Sequence, residues 1–164
     1  MATERLFIAI PLPPALREEL AKLYEPLPGV AWTRPEQLHL TLRFLGDVEP
    51  ALAAAAEAAL AHVRVEAFIL PVGGVGGFPS RGMPRVLWTG VAQGHPRLYQ
   101  LRQRIDDALL GAGLTLDVRR FHPHATLARM RPEAAAGAVE QFLRRHRTFE
   151  AAPFRADVFR LYAS

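Results

Sequence analysis

The order strand, helix, strand, helix, strand is written twice along this chain, and both times the middle strand carries a histidine and a threonine two residues apart. The first copy reads His39-Leu40-Thr41-Leu42 and the second His124-Ala125-Thr126-Leu127. Side chains on a strand alternate between faces, so His39 and Thr41 share one face, as do His124 and Thr126. Two such strands brought face to face gather two imidazoles and two hydroxyls around one cavity. A half-buried strand whose polar groups bond to neighbours accounts for either copy alone. It does not account for the same spacing at the same place in both halves.

In the first half, residues 4–10 alternate into a β-rich run, and Pro13-Pro14 opens a helix with Leu16, Leu20, Leu23 and Tyr24 on one stripe. The motif strand follows at about residues 38–45. Pro50 then starts an alanine-rich helix to about His62, and residues 67–72 read as a strand. In the second half residues 85–91 form a strand, and Pro96 opens a helix with Leu98, Leu101, Ile105 and Leu109 inward, which Gly111-Ala112-Gly113 ends. After the second motif strand, Pro132 begins a helix with the stripe Ala135, Val139, Phe142 and Leu143, and residues 154–161 alternate into one final strand. Beyond the motifs and the prolines at helix starts the halves share little identity, so the pattern predicts repeated architecture over about residues 1–72 and 84–164. Between them, residues 73–82 hold a run of glycines. No Gly-Lys-Ser/Thr ending, no G-x-G-x-x-G and no following helix supports a phosphate loop there, so the run reads as a mobile connection.

The 164 residues suffice for one good core or two small lobes sharing one. The absence of cysteine excludes disulfides and thiolate metal sites. The apolar run from Leu6 to Ile10 is too short for a signal peptide or a membrane span, so a cytoplasmic protein with no membrane partner is expected. A formal charge of +4 and a pI near 10.3 favour a polyanionic partner such as RNA. That argument is weak in bulk, because Lys22 is the only lysine in a chain rich in Ala, Leu and Pro. It belongs to particular arginines near the motifs, whose planar forks suit phosphate.

An unperturbed imidazole titrates near pH 6.5, so around neutrality one histidine donates a proton while its partner accepts one. Opening a phosphodiester needs both roles, one on the attacking side and one on the departing oxygen. Thr41 and Thr126 are candidate donors to the non-bridging oxygens. By parity Arg43 continues the face of His39 and Thr41 and could reach the phosphate; it could equally be a solvated strand end. Arg129 points the other way by strict alternation, and reaches the cleft only if the strand twists or bulges after Leu127. Trp32, Phe44 and Phe121 could stack on a base, but core packing is the expectation for each.

Zinc is the obvious competitor, since His122-Pro123-His124 with His39 offers three imidazoles. No acidic residue lies in either predicted motif strand, a proline separates two of the three, and threonine recurs where a ligand carboxylate would be needed. No metal and no cofactor are therefore expected. His62, His95 and His146 lie in or beside helical patterns and read as surface or capping residues.

The stretches from His39 to Gly46 and from Pro123 to Arg129 resemble the paired signatures of the two-histidine phosphoesterases, in particular the LigT-like RNA 2′,3′-cyclic phosphodiesterases of bacteria and archaea, long called 2′-5′ RNA ligases. The likeness extends to Arg5-Leu6-Phe7, Trp32, Pro35, Phe78-Pro79 and the run from Pro84 to Trp88, and so covers most of the chain. It implies one bilobal α+β domain over residues 1–164, with antiparallel sheets lining a central cleft and helices outside. It implies metal-independent hydrolysis of terminal 2′,3′-cyclic phosphates to 2′-phosphates, with ligation as the near-reversal. By the same resemblance His39 matches the proton donor to the departing 3′-oxygen and His124 the base that activates water; the residues alone leave that assignment open. Members of the family usually carry a further short hairpin past the strand near Ser164, so a chain shorter than its relatives is expected. Open alternatives are a phosphodiesterase of small cyclic nucleotides or 2′-5′ oligonucleotides, and a catalytically silent RNA-binding module. A monomer is expected.

Overall fold

Alternating apolar residues build the strands, and among the described residues proline at the first helical position opens three of the four α-helices. The computed structural model describes residues 2–91 and 94–164. In it β1 (Glu4–Pro11) lies between β3 (His39–Val48) and β8 (Arg160–Ala163), an antiparallel sheet of three strands. The second sheet has five, in the order β2 (Val30–Trp32), β6 (His124–Met130), β5 (Val86–Val91), β4 (Phe68–Phe78) and β7 (Glu150–Ala156), again antiparallel throughout. The helices are α1 (Pro14–Ala21), α2 (Pro50–Leu60), α3 (Pro96–Gly111) and α4 (Ala136–Arg145). The fold is α+β with antiparallel sheets, as expected.

The two sequence halves exchange strands. β4 leaves the first half to pair with β5, the short β2 docks on β6, and β8 returns from the end of the chain to β1. Apolar side chains of both sheets and all four helices then form one core, including Ile8, Leu40, Leu70, Leu87, Ile105, Leu127 and Phe142. Fully burying each of these large side chains contributes about 1.5–3 kcal/mol. The two motif strands, β3 in one sheet and β6 in the other, touch across the join.

Three sequence expectations are corrected. The first part of the glycine run is strand rather than mobile connection: β4 continues to Phe78 in register with β5, with Gly76 opposite Trp88, and residues 79–82 form bends beyond it. A Cβ on Gly76 would clash with the Trp88 ring, so glycine is what lets the indole lie over the neighbouring strand. Gly74, at φ +72°, forms the bulge there, and the buried Thr89 hydroxyl closes it by donating to the Gly74 carbonyl at 2.8 Å. The single final strand is two: β7 pairs with β4 and β8 with β1, because the chain crosses from one sheet to the other at residues 157–159. The last helix begins at Ala136, not at Pro132, because residues 131–134 close a turn on themselves, the Ala134 amide donating to the Arg131 carbonyl at 3.0 Å.

Candidate active site

His39 opens β3 and His124 opens β6, and each ring is held in the same way. Nδ1 of His39 lies 2.6 Å from the Gln37 carbonyl, and Nδ1 of His124 lies 2.6 Å from the His122 carbonyl. A carbonyl only accepts, so each Nδ1 carries the proton and each Nε2 is left to take or give one. The strands that carry the two rings touch across the join of the sheets, and a charge on His39 disfavours one on His124. Thr41 and Thr126 lie half-buried one strand repeat further on, flanked by the buried Leu40, Leu42, Ala125 and Leu127.

Immediately after each threonine the ladder slips. Ala9 opposes Thr41 and Ile8 opposes Arg43, leaving Leu42 as an extra residue; Trp88 opposes Thr126 and Leu87 opposes Ala128, leaving Leu127 extra. A bulge of this kind reverses the faces of the residues that follow it, as far as the next slip. In β3 the reversal corrects the expectation for Arg43, which turns into the core with 6% of its surface exposed. There Nε and Nη2 grip both oxygens of Asp106 at 2.9 and 2.7 Å, and Nη1 donates to Asp117 Oδ1 at 2.8 Å. The paired carboxylate of Asp106 raises the guanidinium's pKa further still. In β6 the bulge falls at Leu127, the condition under which Arg129 comes round to the histidine face. Arg129 is exposed, and its charge is felt at His124.

Phe44 corrects a second expectation. It is the counterpart of Arg129 past the bulge, and 64% of it is exposed rather than packed in the core. Its ring lies 5.9 Å from Phe7, which stacks at 5.0 Å on His39 and at 5.1 Å on Tyr162. On the other strand Phe78 meets His124 edge-on at 5.0 Å, and Trp88 lies 4.8 Å from His122. Trp32 packs on Phe142 and Phe121 on Tyr99, both half-buried against the core. Phe7, Phe78 and Trp88 entered the sequence reading only as points of family likeness. Tyr162 was missed altogether, because the strand that carries it reaches His39 only through tertiary pairing.

Burial is the largest influence on both histidines and pushes both below the ordinary imidazole value, against the Nδ1 hydrogen bonds, which favour the cation. For His124 the charges of His122, Arg129 and His39 add to the depression. In the free protein the neutral ring therefore prevails at pH 7, and the state with one charged and one neutral ring moves to lower pH than the sequence suggests. An anion between the rings opposes that shift. Among the described residues, no group of three or more histidine and acidic side chains is placed to hold a metal ion. Of the remaining histidines, His95 caps α3 by accepting from the Arg97 amide at 3.2 Å, and His146 bonds Glu25 at 3.0 Å. No helix among the described residues is long and apolar enough to cross a membrane.

Comparison with known proteins sets this geometry in context. The LigT-like phosphoesterase profile matches residues 10–88 and again residues 90–164. The chain is 34% identical over 149 residues to an RNA 2′,3′-cyclic phosphodiesterase of Aeropyrum pernix, spanning 91% of this chain and 83% of that one. It is 36% identical over 135 residues to one of Geobacillus stearothermophilus, spanning 79% of this chain and 43% of that one. Among solved structures, E. coli LigT complexed with 3′-AMP superposes with a TM-score of 0.76 at 29% identity, over 98% of this chain and 88% of that one.

Proposed function

The chain belongs to the LigT-like phosphoesterase family, and from that membership we propose that it is an enzyme hydrolysing terminal 2′,3′-cyclic phosphates of RNA to 2′-phosphates. The observation that carries the reading is the matched anchoring of His39 and His124, each with Nδ1 tied to a carbonyl two residues upstream. Two imidazoles with free Nε2 atoms supply one acid and one base, which in-line opening of the cyclic phosphate requires.

His124 takes a proton from water as its oxygen attacks phosphorus. The bond from phosphorus to the 3′-oxygen breaks, and that oxygen takes the proton of His39. The product carries a 2′-phosphate and a free 3′-hydroxyl, and the two histidines have exchanged protonation states. Thr41 and Thr126 donate to the non-bridging oxygens as charge gathers there, and Arg129 adds a cation on the His124 side. Support for this direction comes from the aromatic surface: Phe44, Phe7 and Tyr162 lie on the His39 side, where a terminal base and its ribose would set the departing sugar oxygen nearest His39, and the choice of the 3′-oxygen follows the family likeness. RNA ends and small cyclic nucleotides both present this cyclic phosphate.

Chelator-treated protein should convert 2′,3′-cyclic AMP to 2′-AMP, and His124→Ala should lower kcat by about 10²–10⁴-fold. Formation of 3′-AMP would sink the assignment of the leaving oxygen.

A further inference from the structure

We propose that Arg43 and Arg102 are positioning residues: together they clamp the β3 bulge to the segment that delivers His124, and so fix the separation of the two histidines from beneath the cleft. This rests on the two-histidine reading above.

The bulges of β3 and β6 are equivalent, but what lies under them is not. Under β6 the reversed residue is Ala128, a methyl in the core; under β3 it is Arg43. One branch of the clamp runs from Arg43 to Asp117, whose side chain accepts from Nη1 at 2.8 Å and whose carbonyl accepts at 3.1 Å. The second runs through Arg102 of α3. Its Nε donates to the Leu42 carbonyl at 3.0 Å, at the bulge itself, and its guanidinium lies 4.5 Å over the ring of Phe121. Asp106, one helical turn on, holds Arg43 through both oxygens and lies 3.9 Å from Arg102, so α3 anchors both cations.

Asp117 and Phe121 belong to the stretch that leads without regular structure into His122, Pro123 and His124. That stretch has no ladder of its own to set its path. Two arginines tie it to the strand that carries the other histidine. A bidentate guanidinium suits this task, because its fork fixes direction as well as charge. Loosening the tie displaces His124 relative to His39 with no change in any group that touches substrate, and a displacement of about 1 Å costs up to about 10²-fold in rate.

The test uses three variants of the full chain, two of them at Asp117, whose side chain is half-exposed. Asp117→Leu removes the side-chain acceptor, Asp117→Asn keeps an acceptor oxygen, and Val139→Ala in α4 destabilises the core far from the clamp. Two quantities are read well below each variant's Tm: kcat on 2′,3′-cyclic AMP, and inorganic phosphate affinity from the NMR ring signals of His39 and His124. Asp117→Leu is expected to lose about tenfold or more in kcat, to bind phosphate several-fold more weakly, and to report unequal affinities at the two rings. Asp117→Asn should restore most of both, and Val139→Ala should lower Tm alone. Wild-type kcat and one shared phosphate affinity in Asp117→Leu would overturn the clamp. A wild type that grips phosphate with both rings but turns over no cyclic phosphate would overturn the catalytic reading, and the phosphate arm would still decide the clamp.

Discussion

The two motif strands follow one plan as far as the bulge and then diverge. Histidine, threonine and an extra leucine fall in the same order in β3 and β6, and both Nδ1 atoms reach back to the same kind of carbonyl. Beyond the bulge β3 turns an aromatic ring, Phe44, to the cleft side and buries a cation, Arg43. β6 does the reverse, turning out Arg129 and burying Ala128. Symmetry in the first part suits a phosphorus atom attacked on one side and abandoned on the other. Asymmetry in the second suits a substrate with a base at one end and charge at the other.

The strongest way to break that comparison is to remove the exposed residue on each side in turn. Arg129→Ala should lower kcat/KM by about 10²-fold, the loss of one donor to developing charge, and equally for every base. Phe44→Ala should instead raise KM roughly tenfold while sparing kcat, and unevenly among the four cyclic nucleotides, because it removes a stacking surface. Steady-state kinetics on the four substrates checks both. Equal effects from the two variants would mean that the walls are not specialised.

A finer difference concerns pH. Both histidines titrate below the ordinary value, so the kcat/KM profile should be a bell centred on the acid side of 6.5. Arg129→Gln removes a charge that depresses His124 and should move the limb of that residue to higher pH, whereas Phe44→Leu should leave both limbs in place. An unmoved limb in Arg129→Gln would place the arginine too far from the ring to matter.

The smallest effect is on stability. A histidine whose pKa is depressed by folding contributes stability that is fully present above its unfolded value near 6.5 and is lost as pH falls through its folded value. The Tm should therefore fall between pH 7.5 and pH 5, and inorganic phosphate should offset the fall by favouring the charged rings. Thermal melts across that range check this, and a Tm that rises on acidification would contradict it. Glu25, held below the ordinary carboxylate value chiefly by its hydrogen bond to His146, acts in the same direction at lower pH.

Parity and punctuation made much of this molecule legible. Pro14, Pro50 and Pro96 open helices because a residue without an amide proton costs nothing there. Pairing His39 with Thr41 and His124 with Thr126 needed only the two-residue repeat of a strand. Both readings are local, and local geometry is what a sequence states directly. Counting failed for Arg43 because its face depends on where the ladder slips, and that slip shows only in the pairing of β3 with β1. The glycine run misled for a related reason: it is held by its ladder with the next strand and covered by the indole of Trp88, and glycine itself offers no side chain to signal it.

By itself the sequence determined most of the helices and strands and the two histidine and threonine pairs, since each follows from residue type and short spacing, and it pointed to a chemistry of proton transfer at a phosphate. Tertiary structure alone decided which side each arginine serves, which aromatic rings line the cleft, and how far the imidazoles titrate from their ordinary value. Those outcomes depend on partners far away in the chain, as Asp106 and Asp117 are from Arg43. Burial and strand register exist only once those partners have met.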